Sequence, residues 1–343
     1  MRRGILIALV LAVTLATRAF AADETYTGWP YLTADGLGSA MTLSTLPESP
    51  SAFFANPACV SMGLLPVLAH NHSARHFPDM GTGAETDQLD NDFESIIFPL
   101  PLGRFAYGFT LIDEHGWDYT NRPAGNLPYP RERMKGAESA AAYAFGYYPL
   151  SVGTSLRKFS REFYPPPASS TMVLPAGQAQ PRFASSLVNG EGDSIGILAG
   201  LPWLRYAQVK SRLDMRKLVL PVGMEQQARQ KATRKGWRFN PCTWMSFACE
   251  QSKQVSWPFA TPGAKTEPTT EVTKSRSFTV RPLVFMELSF GEVDGKRAWG
   301  CRLVLPGVRV KYAELKDYLG KATGYAAGML ADLHFYGVDL TIW

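Results

Sequence analysis

After its first sixteen residues the chain has no apolar run approaching the ~20 residues that a membrane-crossing helix needs. A helical membrane protein is therefore excluded. Cysteine is scarce, with only Cys59, Cys242, Cys249 and Cys301. No CxxC pair or neighbouring histidine accompanies them, which argues against zinc. An oxidising compartment would permit disulfides, and four thiols allow three complete pairings that spacing does not choose between. Cys242 and Cys249 are close enough in sequence to close a short hairpin or loop. Net charge is small too: 35 Lys and Arg against 30 Asp and Glu give +5, which makes no case for nucleic acid. A GxSxG elbow, a phosphate-binding loop and HExxH are all missing, so the chain reads as a non-enzyme without metal or cofactor. No period of 20–50 residues marks a solenoid or propeller.

The N-terminus carries an export signal. Arg2 and Arg3 precede a thirteen-residue, largely apolar run, residues 4–16, and Ala19-Phe20-Ala21 supplies a small-x-small cleavage site. Residues 1–21 read as a signal peptide, with Ala22 the mature start. Its removal takes away Arg2, Arg3 and Arg18 and leaves 322 residues with a formal charge of +2. No cysteine follows the site, which disfavours a lipoprotein.

The mature chain is rich in alternation. Phe105, Tyr107, Phe109 and Leu111 share one face, with Ala106, Gly108 and Thr110 on the other. Large apolar residues opposite small or polar ones suit a barrel strand with lipid on one side and a lumen on the other. The pattern recurs at Tyr143, Phe145 and Tyr147, then at Val152, Thr154 and Leu156, and again over residues 194–199. Residues 280–290 form a long face, broken by a turn at residues 291–295, with Trp299, Cys301, Leu303 and Leu305 as its return strand. Pro282 is a poor ladder residue. Near the end, Tyr325, Ala327, Met329, Leu333 and Phe335 share one parity, and Val338, Leu340 and Ile342 the other. That change predicts a bulge or turn near Tyr336-Gly337. At 9–11 residues per strand plus turns, the mature length accommodates about 14 strands.

Other segments read as loops or solvated faces. Residues 164–181 are rich in Pro, Ala and Ser. Residues 228–238, ARQKATRKGWR, carry five basic residues and no acid, and read as a solvated face with anionic headgroups as the alternative contact. His70, His72 and His76 read as a polar loop in preference to a metal site, since no carboxylate is placed with them. Asp87, Asp90 and Asp92 read as an acidic loop without EF-hand spacing. Asp113-Glu114-His115 are adjacent and point different ways, so they make no catalytic trio.

Residues 36–58, GLGSAMTLSTLPESPSAFFANPA, resemble the N-terminal motif of the FadL superfamily of outer-membrane proteins. The matching positions are Gly36, Gly38, Ala40, Ser51, Ala52, Phe53, Asn56, Pro57 and Ala58. Cys59 stands where the family usually has glycine. The resemblance implies an antiparallel, up-and-down transmembrane β-barrel of 14 strands, built from residues 63–343. Residues 22–62 would form a plug or hatch. It also implies a bacterial outer-membrane channel for passive uptake of hydrophobic small molecules such as long-chain fatty acids. Phe53 and Phe54 would pack the hatch. By their own chemistry, Asn56 and Pro57 form a rigid turn. The expected partners are a hydrophobic ligand, membrane lipid and the outer-membrane assembly machinery, to which the terminal Trp343 points. The PorV-type members of the same superfamily imply an alternative, a scaffold or shuttle component that binds secreted proteins.

Overall fold

The structure, a computed structural model, describes residues 33–40, 42–47, 49–62, 66–76, 88–100, 102–115, 117–118, 129–130, 133–147, 149–164, 185–220, 223–293, 296–315 and 332–341. The signal peptide, Asp87, residues 165–181, residues 325–331 and Trp343 lie outside them. Strands β1 (Val67–His76), β2 (Gln88–Leu100) and β3 (Gly103–His115) are followed by a two-stranded excursion, β4 (Trp117–Asp118) and β5 (Tyr129–Pro130). Next come β6 (Arg133–Tyr147), β7 (Leu150–Tyr164), β8 (Ser185–Leu201), β9 (Leu204–Leu220) and β10 (Met224–Cys242). The last six are β11 (Met245–Ala260), β12 (Thr269–Leu283), β13 (Met286–Val293), β14 (Lys296–Leu305), β15 (Val308–Leu315) and β16 (Asp332–Thr341).

All but β4 and β5 join one antiparallel sheet in chain order. Pairing of β1 with β16 closes it into a 14-stranded barrel. Closure removes the free edges that an open sheet of this size would expose. Six connections, at residues 101–102, 148–149, 202–203, 243–244, 284–285 and 306–307, are two residues long and share one end of the barrel.

Alternation sorts the side chains as the sequence requires. On β3, Arg104, Ala106, Gly108 and Thr110 are buried, while Phe105, Tyr107, Phe109 and Leu111 face outward. On β7, Ser151, Gly153 and Ser155 face in, and Val152, Thr154 and Leu156 face out. Leu156 is 67% exposed, Phe145 61% and Ile195 59%, so the barrel's outside carries an apolar band and its wall is lined with small or polar groups. The core therefore lies in the lumen, between that lining and residues 33–62.

Several local expectations are corrected. The face over residues 280–290 is a hairpin: β12 ends at Leu283 and β13 begins at Met286. Its turn is the apolar Val284-Phe285, which carries no glycine or asparagine signal. The β16 ladder runs unbroken through Tyr336 and Gly337, with no bulge. The parity changes because Phe335 turns inward and is wholly buried, against the outward default for aromatics. The histidine run forms β1, with His70 and His72 on one face as spaced, opposite Glu94 and Asp92 of β2. Asp90 and Asp92 are likewise in a strand.

Candidate functional site

The lumen segment is built from short turns because its composition allows little else. Helical turns span Ala34–Gly38 and Ala52–Ala55, and 3₁₀ turns span Thr42–Thr45 and Pro57–Met62. Between them these four turns touch β3, β6 to β16 and one another. The segment therefore crosses the lumen and braces it on every side. Ala40 holds φ at +46°, a left-handed conformation costing a non-glycine residue about 1 kcal/mol or more.

Phe53 and Phe54 are buried, with ring centroids 4.3 Å apart, and Phe54 meets Phe93 of β2 edge-on at 5.2 Å. Their floor is the small-residue side of β3 and β6: Ala106, Ala140, Ala142 and Ala144. A Cβ on Gly108 would come within 3.0 Å of Phe53 Cζ and 3.1 Å of Phe54 Cε2. Alternation in the wall thus makes room for aromatics in the plug.

Asn56 is fully buried and ties three pieces together. Its Oδ1 accepts from Ala58 N at 3.0 Å, the local turn read from the sequence. Its Nδ2 also donates to Ser44 O at 2.9 Å and to Ile197 O of β8 at 3.3 Å. Gly153 and Gly196 are direct partners across β7 and β8. A Cβ on Gly196 would overlap Asn56 Oδ1, and one on Gly153 would overlap the Pro57 carbonyl. Ser151 Oγ donates to Ala58 O at 2.9 Å. The Asn-Pro-Ala turn is seated on two facing glycines, and any larger residue there would push it off the wall.

A second anchor, absent from the sequence reading, is ionic. Asp35 accepts from Arg302 Nη2 at 2.8 Å, Lys311 Nζ at 2.6 Å and Ser49 Oγ at 2.6 Å. Glu287 flanks Arg302 at 3.2 Å, and Asp339 flanks Lys311 at 2.5 Å. Burial pushes the Asp35 carboxyl up, but Lys311 and Arg302 together outweigh it and hold the group well below the ordinary carboxylate range. Three strands from β14, on β11, Glu250 accepts from Ser44 N and Oγ at 3.1 and 2.6 Å. Arg238 donates to Thr42 O at 3.3 Å. Gly36 N donates to Thr33 Oγ1 at 3.2 Å, and Gly38 ends the first helical turn.

No family model matches the sequence, and no curated protein matches it. Solved structures do. The Pseudomonas putida toluene transporter TodX aligns over 90% of this chain and 97% of its own at 11% identity, with a TM-score of 0.56. A Pseudomonas aeruginosa FadL homologue gives 12% identity, the same two coverages and a TM-score of 0.55. CymD, a monoaromatic hydrocarbon channel, gives 10% identity, 89% and 98% coverage and a TM-score of 0.51. The fold is that of the FadL-type channels.

Within this FadL-type barrel the N-terminal motif residues converge on the lumen. Cys242 and Cys249 do not converge, and both are free thiols. Cys242 opposes Met245 while Cys249 opposes Trp237, four residues further along β11. At ~3.3 Å per residue that separation far exceeds the ~7 Å Cα limit for a bridge. Two cavities stand out among the described residues. One of about 930 Å³ lies at the long-loop end of β7 to β11, where Phe159, Met215 and Trp257 mix with Glu191 and Arg229. A groove of about 380 Å³ lies outside β1 to β3 and β16, lined by Leu68, His70, Glu94, Ile96, Tyr107 and Phe109. It backs onto the wall at Gly108, behind which Phe53 and Phe54 sit.

Proposed function

We propose that the protein is a passive channel carrying a hydrophobic small molecule across a bacterial outer membrane, with residues 33–62 as its gate. The observation that carries this reading is a braced, many-anchored segment inside a closed barrel whose outer face carries an apolar band. A bilayer suits that outside, and the plug must shift before anything passes. On this reading residues 1–21 are the export signal, and membrane lipid and the assembly machinery are partners. The ligand would be captured at the long-loop end, where the larger cavity lies. A shift of the Phe53–Ala58 seat would then release it sideways or through the lumen. Sideways release would have to part the β2–β3–β6 ladder, which is paired without a break at Gly108 between the plug aromatics and the outer groove.

Two ligand classes are tested together. Cells lacking their own transporter, with and without the folded barrel, are given a labelled long-chain fatty acid or labelled toluene. A gain in uptake of either supports the channel and selects the class. No gain of either, from a barrel that shows a heat-modifiable gel shift, overturns it. Deleting residues 49–58 is expected to alter uptake while leaving insertion intact; unchanged uptake would remove the plug as the gate. A stable protein partner recovered by crosslinking would favour the scaffold alternative.

A further inference from the structure

The basic run of residues 228–238 does not lie on one face. Arg234 and Arg238 turn into the lumen, where Arg234 meets Glu250 at 3.0 Å and Arg238 holds Thr42. Arg229, Lys231 and Lys235 face outward, and the register places further cations beside them. Lys210 of β9 and Lys253 of β11 both oppose Thr233. Lys235 lies one row nearer the short-turn end, between Gln208 and Gln251, and Lys274 of β12 lies opposite Gln251. Arg212 and Arg229 share Asp214, and Lys231 stands over the Trp257 ring at 5.6 Å. Lys210, Lys235 and Lys253 are exposed, and none has a partner among the described residues.

Directly below lies an aromatic band, Tyr206 and Leu204 on β9, Trp237 and Phe239 on β10 and Phe247 on β11, continued towards the short turns by Met245 beside Val280. Tyr206 packs on Trp237 at 4.7 Å, and Phe247 on Phe278 at 5.0 Å. Above this band ammonium groups take over on β9 to β12.

We propose that this patch seats the phosphate groups of an outer-leaflet lipid, a proposal that rests on the outer-membrane reading above. An ammonium facing hydrocarbon is strongly disfavoured, and the penalty fades towards the headgroup layer. Lysine stems can run along the aromatic band while their heads reach that layer. Lys210 and Lys253 sit two strand spacings apart, roughly 10 Å, with Lys235 between and below. That triangle accommodates one phosphate or bridges two, and the glutamine amides add neutral donors. The band beneath would take acyl chains, so phosphate above and hydrocarbon below match an amphipathic lipid better than a free anion.

The test uses the full folded barrel in phosphatidylcholine nanodiscs doped with bisphosphorylated lipid A, with bound lipid A counted by native mass spectrometry. Wild type is expected to retain at least about fivefold more than the triple variant Lys210→Gln/Lys235→Gln/Lys253→Gln. The corresponding triple arginine variant should restore retention. Equal retention by an inserted wild type and glutamine variant overturns the proposal alone. Displacement of lipid A by millimolar inorganic phosphate would also overturn it, because the patch would then be a free-anion site. A wild-type barrel that fails to insert overturns the membrane reading and this proposal together.

Discussion

Asn56 carries more than a turn needs. Its side chain holds Ala58 N, Ser44 O and Ile197 O at once, so Asn56→Ala takes the side-chain acceptor from the buried Ala58 N–H and a donor from Ser44 O and Ile197 O. A loss of about 1–3 kcal/mol is expected, equivalent to roughly 5- to 150-fold more frequent opening of the seat. Cys59, buried three residues on, is the natural reporter. In a background where Cys242, Cys249 and Cys301 are serine, its maleimide labelling should accelerate by that factor. Gly196→Ala should act in the same direction by overpacking, at about 1–3 kcal/mol, because its new methyl meets Asn56 Oδ1. Labelling as slow as wild type in either variant would show that the turn does not depend on this seat. Asn-Pro-Ala is legible in sequence as a turn because its chemistry is local. Gly153 and Gly196 are not, since their requirement comes from a segment far away in sequence that enters the lumen. Asp35 did leave a trace: it is the only charge between Thr33 and Pro47, and an isolated acid among small and apolar residues invites a buried partner.

The lumen segment as an element is latched at one side by ions and at the other by neutral groups. Asp35→Asn removes the charge that Arg302 and Lys311 share, although Glu287 and Asp339 still attend them. The cost should fall at the low end for a broken buried pair, about 3 kcal/mol. Openings in a planar bilayer should become more frequent accordingly. The pH dependence follows from the depressed Asp35 carboxyl. Its contribution is complete above the ordinary aspartate value of about 4 and is lost only as pH falls through the lower value of the latched state. The difference in opening frequency between wild type and Asp35→Asn should therefore be constant from pH 8 to 5 and disappear in strong acid. A difference that already vanished at pH 5 would contradict the latch. Among the strands, period-two alternation identified β3, β6 and β7 well, because large side chains face out and small ones face in. It misled at Phe335, an aromatic that faces in, and at Val284-Phe285, an apolar turn. Reading the basic run of β10 by its charge count alone missed that alternation divides those charges between two faces.

For the molecule as a whole, the number of strands was legible from chain length and spacing. Closure was not, because pairing of β1 with β16 joins the two ends of the barrel and leaves no local signal. At this scale the uptake of fatty acid or toluene by cells carrying the folded barrel is the decisive measurement, with the expectation of a gain in one of them. The Asp35–Lys311 contact, between residues 276 positions apart, also has a temporal meaning. The cations that hold the first turn of the plug belong to β14 and β15, among the last strands to be synthesised. A growing chain thus carries its stopper for almost its whole length before the fastening exists. The lumen stays unsealed until the final hairpins arrive, so plugging comes late in assembly, alongside the joining of the first strand to the last.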